Sequence, residues 1–220
     1  MNLDMAKRIT GGASRPSKMP GLSWNIPATL CKVGSKLRAI PGSTCSGCYA
    51  LKGRYMFPNV QNAMHRRLDL YNKAHENGTI TRWYEAMAYY ANSRRSKLFF
   101  RFFDSGDLQS LQMLHDLCIV ARMCENTHFW LPTREYGIVR EFVSGGYTIP
   151  GNMTIRLSSP MVDGFTYPSI TGWGITYSAV HTKTPVSGAF VCPAYTQEGK
   201  CGECRVCWNP KSTLVSYPKH

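Results

Sequence analysis

From residue 97 onward the hydrophobic period of the chain switches back and forth, and that switching limits the folds open to it. The run KLFFRFF (97–103) has strand length, DSGD (104–107) stops it, and Leu111, Leu114, Leu117, Cys118 and Ala121 then recur at helical spacing. The unit repeats. THFWLPTR (127–134) predicts a strand, EYGIVREFVSGG (135–146) a helix closed by glycine, and NMTIRLSS (152–159) and GWGITYSAV (172–180) two more strands. Such alternation implies parallel β/α units, and a row of them predicts a parallel (β/α) barrel, partial or complete and TIM-like. Upstream, residues 58–76 predict a helix entered through Pro58, and the segment from Thr79 predicts another, capped by that threonine. The first thirty residues, with GGASRPSKMPG, read as loop, and residues 1–24 as a flexible basic arm. No repeat or linker divides the sequence, so residues 1–220 are expected to form one domain.

In such folds the reactive groups sit at the C-terminal ends of strands. Here those ends carry Asp104, Ser105, Asp107, Thr133, Arg134, Ser158 and Ser159. A carboxylate there can take an ammonium group, and the N–H groups opening the next helix can take a carboxylate. The plainer reading of SGD is a helix cap, with Asp107 satisfying free N–H groups.

Nine cysteines are the second constraint. The chain opens without the apolar core of a secretory signal and has no run of ~18 apolar residues, so a cytoplasmic protein away from membranes is expected. In a reducing compartment cysteines are metal ligands or small buried hydrophobes before they are disulfides. Cys201, Cys204 and Cys207 form C-x2-C-x2-C, with Cys192 nine positions upstream. That spacing suits three corners of a [4Fe-4S] cluster with Cys192 as fourth ligand. The alternative is zinc held by the pairs Cys45/Cys48 and Cys201/Cys204. Cys31, Cys45 and Cys48 lie in turn-rich sequence and are expected to bind a second cluster or to share the first. Cys118 falls on a helical apolar stripe and Cys124 near that helix's end, so both read as packing residues.

Lys and Arg outnumber Asp and Glu by 26 to 13, spread over many segments. The excess favours anionic partners, nucleic acid first, with Arg66, Arg67, Arg94, Arg95 and Lys97 as candidate phosphate contacts. Solubility and balance of cluster charge are the other uses of such an excess. No Walker A motif, dinucleotide fingerprint, nucleophile elbow or H-E-x-x-H is present.

The blocks STCSGCYALKGRY, FFRFFDSGDLQSLQMLHDLCIVAR, THFWLPTR and CGECRVCW, in this order, resemble the Gene product 88 family of bacteriophage proteins. The resemblance implies a phage protein working in the host bacterial cytoplasm. A wider likeness is to radical S-adenosylmethionine enzymes, partial barrels whose N-terminal cysteine loop holds a [4Fe-4S] cluster and whose second strand ends in a cofactor-binding turn. Ser105, Gly106 and Asp107 stand at the matching places, which implies S-adenosylmethionine as a cofactor. Cys31 stands fourteen positions before Cys45 where that group has CxxxCxxC, and Gly47 replaces an aromatic. Three functions are therefore open: an iron-sulfur enzyme acting on nucleic acid or a nucleotide, a cluster- or zinc-stabilised nucleic-acid-binding protein, and an electron carrier.

Overall fold

The computed structural model describes residues 1–219. In chain order its elements are α1 (Leu3–Thr10), β1 (Leu22–Trp24), α2 (Lys32–Arg38), α3 (Pro58–Glu76), α4 (Ile80–Ala91), β2 (Phe99–Phe102), α5 (Leu111–Arg122), β3 (His128–Thr133), α6 (Tyr136–Ser144), β4 (Met153–Val162), β5 (Ile175–His181), β6 (Phe190–Val191) and β7 (Leu214–Pro218). Among the described residues seven strands form one sheet in the order β1-β2-β3-β4-β5-β7-β6, every neighbouring pair parallel. The expected β/α units are present.

The sheet is not closed, so the expectation of a complete barrel is corrected to an open seven-stranded parallel sheet. Its edges explain why. At one edge β6 has two residues, both exposed. At the other, β1 has three, and its free side is taken by an antiparallel bridge from Ser14 to Ser23. Neither edge offers a ladder to the other, and short or covered edges also resist pairing with foreign strands.

Alternation along the strands separates two faces. Leu22, Trp24, Phe100, Phe102, Phe129, Leu131, Met153, Ile155 and Leu157 join the buried core with residues of α3, α4, α5 and α6. In α3 the buried positions Met64, Arg67, Leu68, Tyr71 and Ala74 follow helical period. A buried carboxylate ties the helical layer together: Tyr71 and Tyr84 each donate to Asp116 at 2.5 Å, and Gln112 donates at 2.9 Å. The other face carries Ser23, Arg101, Trp130, Thr154, Arg156 and Ser178, polar or amphipathic groups where a barrel would have its lumen.

Three local expectations change. The opening thirty residues are not all loop: α1 is capped by Asn2, buries Ala6 and Thr10, and packs on α4, so the flexible arm is a docked helix. Thr79 does not cap α4 through its side chain; its hydroxyl donates back to the Ala74 carbonyl. The cap of α5 is Ser110, whose hydroxyl accepts from Met113 N–H, and not Asp107. Among the described residues no helix is long and apolar enough to cross a membrane.

Candidate functional site

The segment between β1 and α3 holds Cys31, Cys45 and Cys48, and it crosses the C-terminal edge of the sheet. It leaves β1 through Asn25, and its middle is stitched to β4: Thr44 N–H donates to Pro160 O at 2.8 Å and Val162 N–H to Gly42 O at 2.9 Å. On the way it is tied to the loops after β2 and β3. Tyr49 donates to the Asp104 carbonyl (2.6 Å), Tyr55 to Asp104 Oδ2 (2.7 Å), Lys32 to the Gln109 carbonyl (2.6 Å) and Val33 N–H to Glu135 Oε1 (2.8 Å). Three strand ends and one cysteine loop therefore meet.

Two glycines permit the approach. A side chain at Gly106, which also has φ +81°, would put its Cβ 2.3 Å from Ile26 Cγ1 and 2.7 Å from Ile26 O, so only glycine lets the DSGD loop lie on the β1 loop. Gly34 faces the thiols. Its Cβ would stand 3.6 Å from Cys45 Sγ, 3.7 Å from Cys31 Sγ and 3.0 Å from Cys31 Cβ. The absent side chain leaves a cradle between two sulfurs.

Asp107 lies at the centre of this edge. Oδ1 accepts from Leu108 N–H (2.8 Å) and the Thr133 hydroxyl (2.6 Å), and Oδ2 from Arg134 N–H (2.9 Å). A carboxylate has about four acceptor positions, so one on Oδ2 is open. Burial pushes Asp107 up from 3.8 to about 6 against those three hydrogen bonds. Burial also raises the Cys31 thiol to about 12, with Asp107, Cys48, Cys45 and Glu135 adding to it. Cys45 is raised by burial and lowered by Arg134. The Ser105 hydroxyl and Arg134 Nε are buried without a partner. Asp104 accepts as many bonds, from Ser23 and Asn25 (2.8 Å) on Oδ1 and from Tyr55 on Oδ2, but its partners belong to β1 and the cysteine loop, so it fastens the β2 loop to them. Ser158 and Ser159 are likewise engaged, with Ser178 and Gly164 respectively.

The other four cysteines lie against the sheet face that the helices leave bare. Cys192 follows β6, and Cys201, Cys204 and Cys207 lie on the path into β7. Trp208 anchors this path: it is buried, donates from Nε1 to Phe100 O at 2.9 Å, and meets Phe99 and Trp130 edge-on. Burial raises Cys201 to about 11, helped by the charges of Cys207, Cys192 and Cys204. Burial raises Cys207 too, while the Tyr217 hydroxyl 3.2 Å away, Arg156 and Arg101 oppose the rise. The fold thus groups Cys31 with Cys45 and Cys48, and Cys192 with Cys201, Cys204 and Cys207. Of the pairs expected to share a zinc, Cys45 feels the charges of Arg134, Cys48 and Asp107, and Cys201 those of Cys207, Cys192, Cys204 and Arg101, so their neighbours differ.

Arg101 and Arg156 are the residues that sequence reasoning missed. Arg156 is fully buried and donates only to carbonyls, those of Tyr177, Ser212 and Val206. Arg101 stacks on Trp130 at 4.2 Å and reaches Phe103 O and the Tyr49 hydroxyl. Their signal was an arginine at the centre of an apolar strand, in FFRFF and TIRLS. Cations away from water need anions, and four thiolates around a metal centre would supply about two net negative charges opposite buried Arg156 and half-buried Arg101. The all-sulfur donor set and this charge balance fit a cluster. As the side chains stand, no three His, Cys, Asp or Glu among the described residues enclose a point at metal distance.

The fold and site define a cysteine-rich parallel α/β protein with two thiol groups, one over the strand ends and one under the sheet. The chain belongs to the Gene product 88 family, a phage family whose profile matches residues 2–210. No curated protein and no solved structure matches it.

Proposed function

We propose that the chain is a phage-encoded iron-sulfur enzyme of the radical S-adenosylmethionine type, acting on nucleic acid or a nucleotide in the host cytoplasm. One observation carries the reading: the loop after β1 brings three thiols onto the loop after β2, where a buried carboxylate keeps one acceptor position open. The strand order supports a partial barrel, since β1 to β5 run consecutively and right-handed crossovers then put their helices on one face. A [4Fe-4S] cluster held by Cys31, Cys45 and Cys48 would lack a fourth protein ligand and would supply reducing electrons to S-adenosylmethionine bound beside it.

This chain's residues have distinct parts in that scheme. Cys31, Cys45 and Cys48 are the ligands. Asp107 receives the ammonium group on its open Oδ2 position, and Ser105 and Arg134 offer the unpartnered donors for the carboxylate. Glu135 and Asp104 hold the loops in register. Cys192, Cys201, Cys204 and Cys207 bind a second cluster, balanced by Arg101 and Arg156. A second reading, a non-catalytic iron-sulfur or zinc protein that binds nucleic acid, is favoured by the near saturation of Asp107.

The deciding experiment is anaerobic reduction with dithionite in the presence of S-adenosylmethionine. The products to be measured are methionine and 5′-deoxyadenosine, for which dithionite would supply the electron and the substrate or buffer the hydrogen atom. Formation of 5′-deoxyadenosine, abolished in Asp107→Asn, supports the enzyme. Its absence with both clusters intact supports the structural role.

A further inference from the structure

A cleft of about 470 Å³ opens between α1, the segment after it, α3 and the turn before β2, at the start of β1, and no cysteine lines it. Its walls bring together Lys7, Arg15, Arg66, Arg67, Arg95 and Tyr90 from five separate segments, and no carboxylate lines it. We infer that this cleft holds the phosphate backbone of a nucleic acid.

Tyr90 donates to the Leu3 carbonyl, and the five cations divide into one that is fixed and four that are unspent. Arg67, expected as a surface phosphate contact, is corrected to a buried wall residue: its Nε donates to Gly12 O at 3.0 Å and its Nη1 to Asn25 Oδ1. Lys7, Arg15, Arg66 and Arg95 donate no side-chain hydrogen bond to the protein, and the two ion pairs of the described residues include none of them. The arginines under the sheet behave otherwise, with their terminal nitrogens on carbonyls, a hydroxyl and a thioether, and Arg101 on an aromatic face. Four unpaired cations converging on a concave surface raise the local positive potential and leave a set of donors facing outward, which is the footprint of a phosphate contact. Exposed Arg94 and Lys97 flank Arg95 and exposed Arg8 follows Lys7, so the basic surface runs past the cleft. A chain of phosphates fits such a surface better than one phosphate does.

The cleft is also wired to the strand ends. Arg67 holds Asn25, Asn25 holds Asp104, and Asp104 fastens the loop that carries Asp107. The inference deepens the substrate class proposed above and rests on that reading for the link to chemistry alone, since binding needs neither S-adenosylmethionine nor reductant.

The test is fluorescence anisotropy on anaerobically purified full-length protein. The probes are labelled ~20-nucleotide single-stranded DNA, single-stranded RNA and duplex DNA, titrated across a salt series, with ATP and inorganic phosphate as competitors. Affinity should fall linearly in log–log form as salt rises. Arg66→Glu with Arg95→Glu should weaken binding at least about tenfold and flatten the salt slope by about 1–2, because roughly 0.7–0.9 of slope is lost per phosphate contact. The same charge change at exposed Arg140 and Lys183 should cost less than about threefold by screening. If the charge reversals impair folding, Arg66→Gln with Arg95→Gln gives the same ordering at smaller size. Equal losses at the two pairs, no binding of any oligonucleotide at low salt, or complete displacement by inorganic phosphate at concentrations that leave ionic strength unchanged would each overturn the inference.

Discussion

The two thiol groups differ in company and in completeness. Over the strand ends, three cysteines stand beside two buried acids, Asp107 and Glu135, and beside polar donors with no partner. Under the sheet, four cysteines stand beside buried Arg156, half-buried Arg101 and a tyrosine, and their segment is pinned by Trp208. The first arrangement is short of one protein ligand and rich in groups for an amino-acid-like molecule. On the reading proposed above, the second would supply a full set of ligands and its own counter-charge. Location separates a centre suited to chemistry from one suited to holding the sheet's open face.

The largest expected effect lies under the sheet. Cys204→Ser should cost that group its metal and loosen the segment from Cys192 to Trp208, because metal coordination is folding energy for a segment with little core of its own. Limited proteolysis and thermal melting check it, and a variant as stable as the parent would break the contrast. Next is Arg156→Met. Removing a buried guanidinium with three carbonyl acceptors should destabilise by roughly 3–5 kcal/mol when the cluster is present, since an uncompensated anion is left. In cluster-free protein the same change should cost far less. Denaturant melts of both forms measure the difference.

These two arginines also show where sequence reading stops. β2 to β5 and α3 to α6 were legible because their apolar runs are long enough to display a period. β1 and β7 were not, since LSW and LVSYP are short and owe their strand form to partners in β2 and β5. α1 was hidden by the glycines after it, although Asn2 and the spacing of Ala6 and Thr10 mark it in retrospect. The cysteines were legible one by one, but their sorting into two groups depends on which strand each loop follows. Arg101 and Arg156 needed the direction of alternate side chains, and Asp104 needed Ser23, Asn25 and Tyr55, all distant in sequence.

At the strand ends the effect is on pH dependence. Asp107 binds its proton more tightly folded than unfolded, its value rising from 3.8 to about 6 through burial. Its contribution is full below pH 4 and is lost as pH rises toward 6, by roughly 3 kcal/mol at most. Asp107→Asn should flatten that slope in urea melts between pH 4 and 7, and an unchanged slope would remove Asp107 from its buried role. The smallest effect is Tyr55→Phe. Deleting one hydrogen bond to Asp104 should cost about 1–2 kcal/mol and leave metal content untouched.

The central claim, two separate centres of unequal kind, is tested most directly by counting iron and sulfide in anaerobic protein and in two variants. Wild type should carry about eight iron and eight sulfide, and about four of each should remain both in Cys31→Ser/Cys45→Ser/Cys48→Ser and in Cys201→Ser/Cys204→Ser/Cys207→Ser. The electron paramagnetic resonance signal of the reduced protein should respond to S-adenosylmethionine only where Cys31, Cys45 and Cys48 are intact. Stoichiometric zinc without iron, or a single centre lost in both variants, would contradict the account.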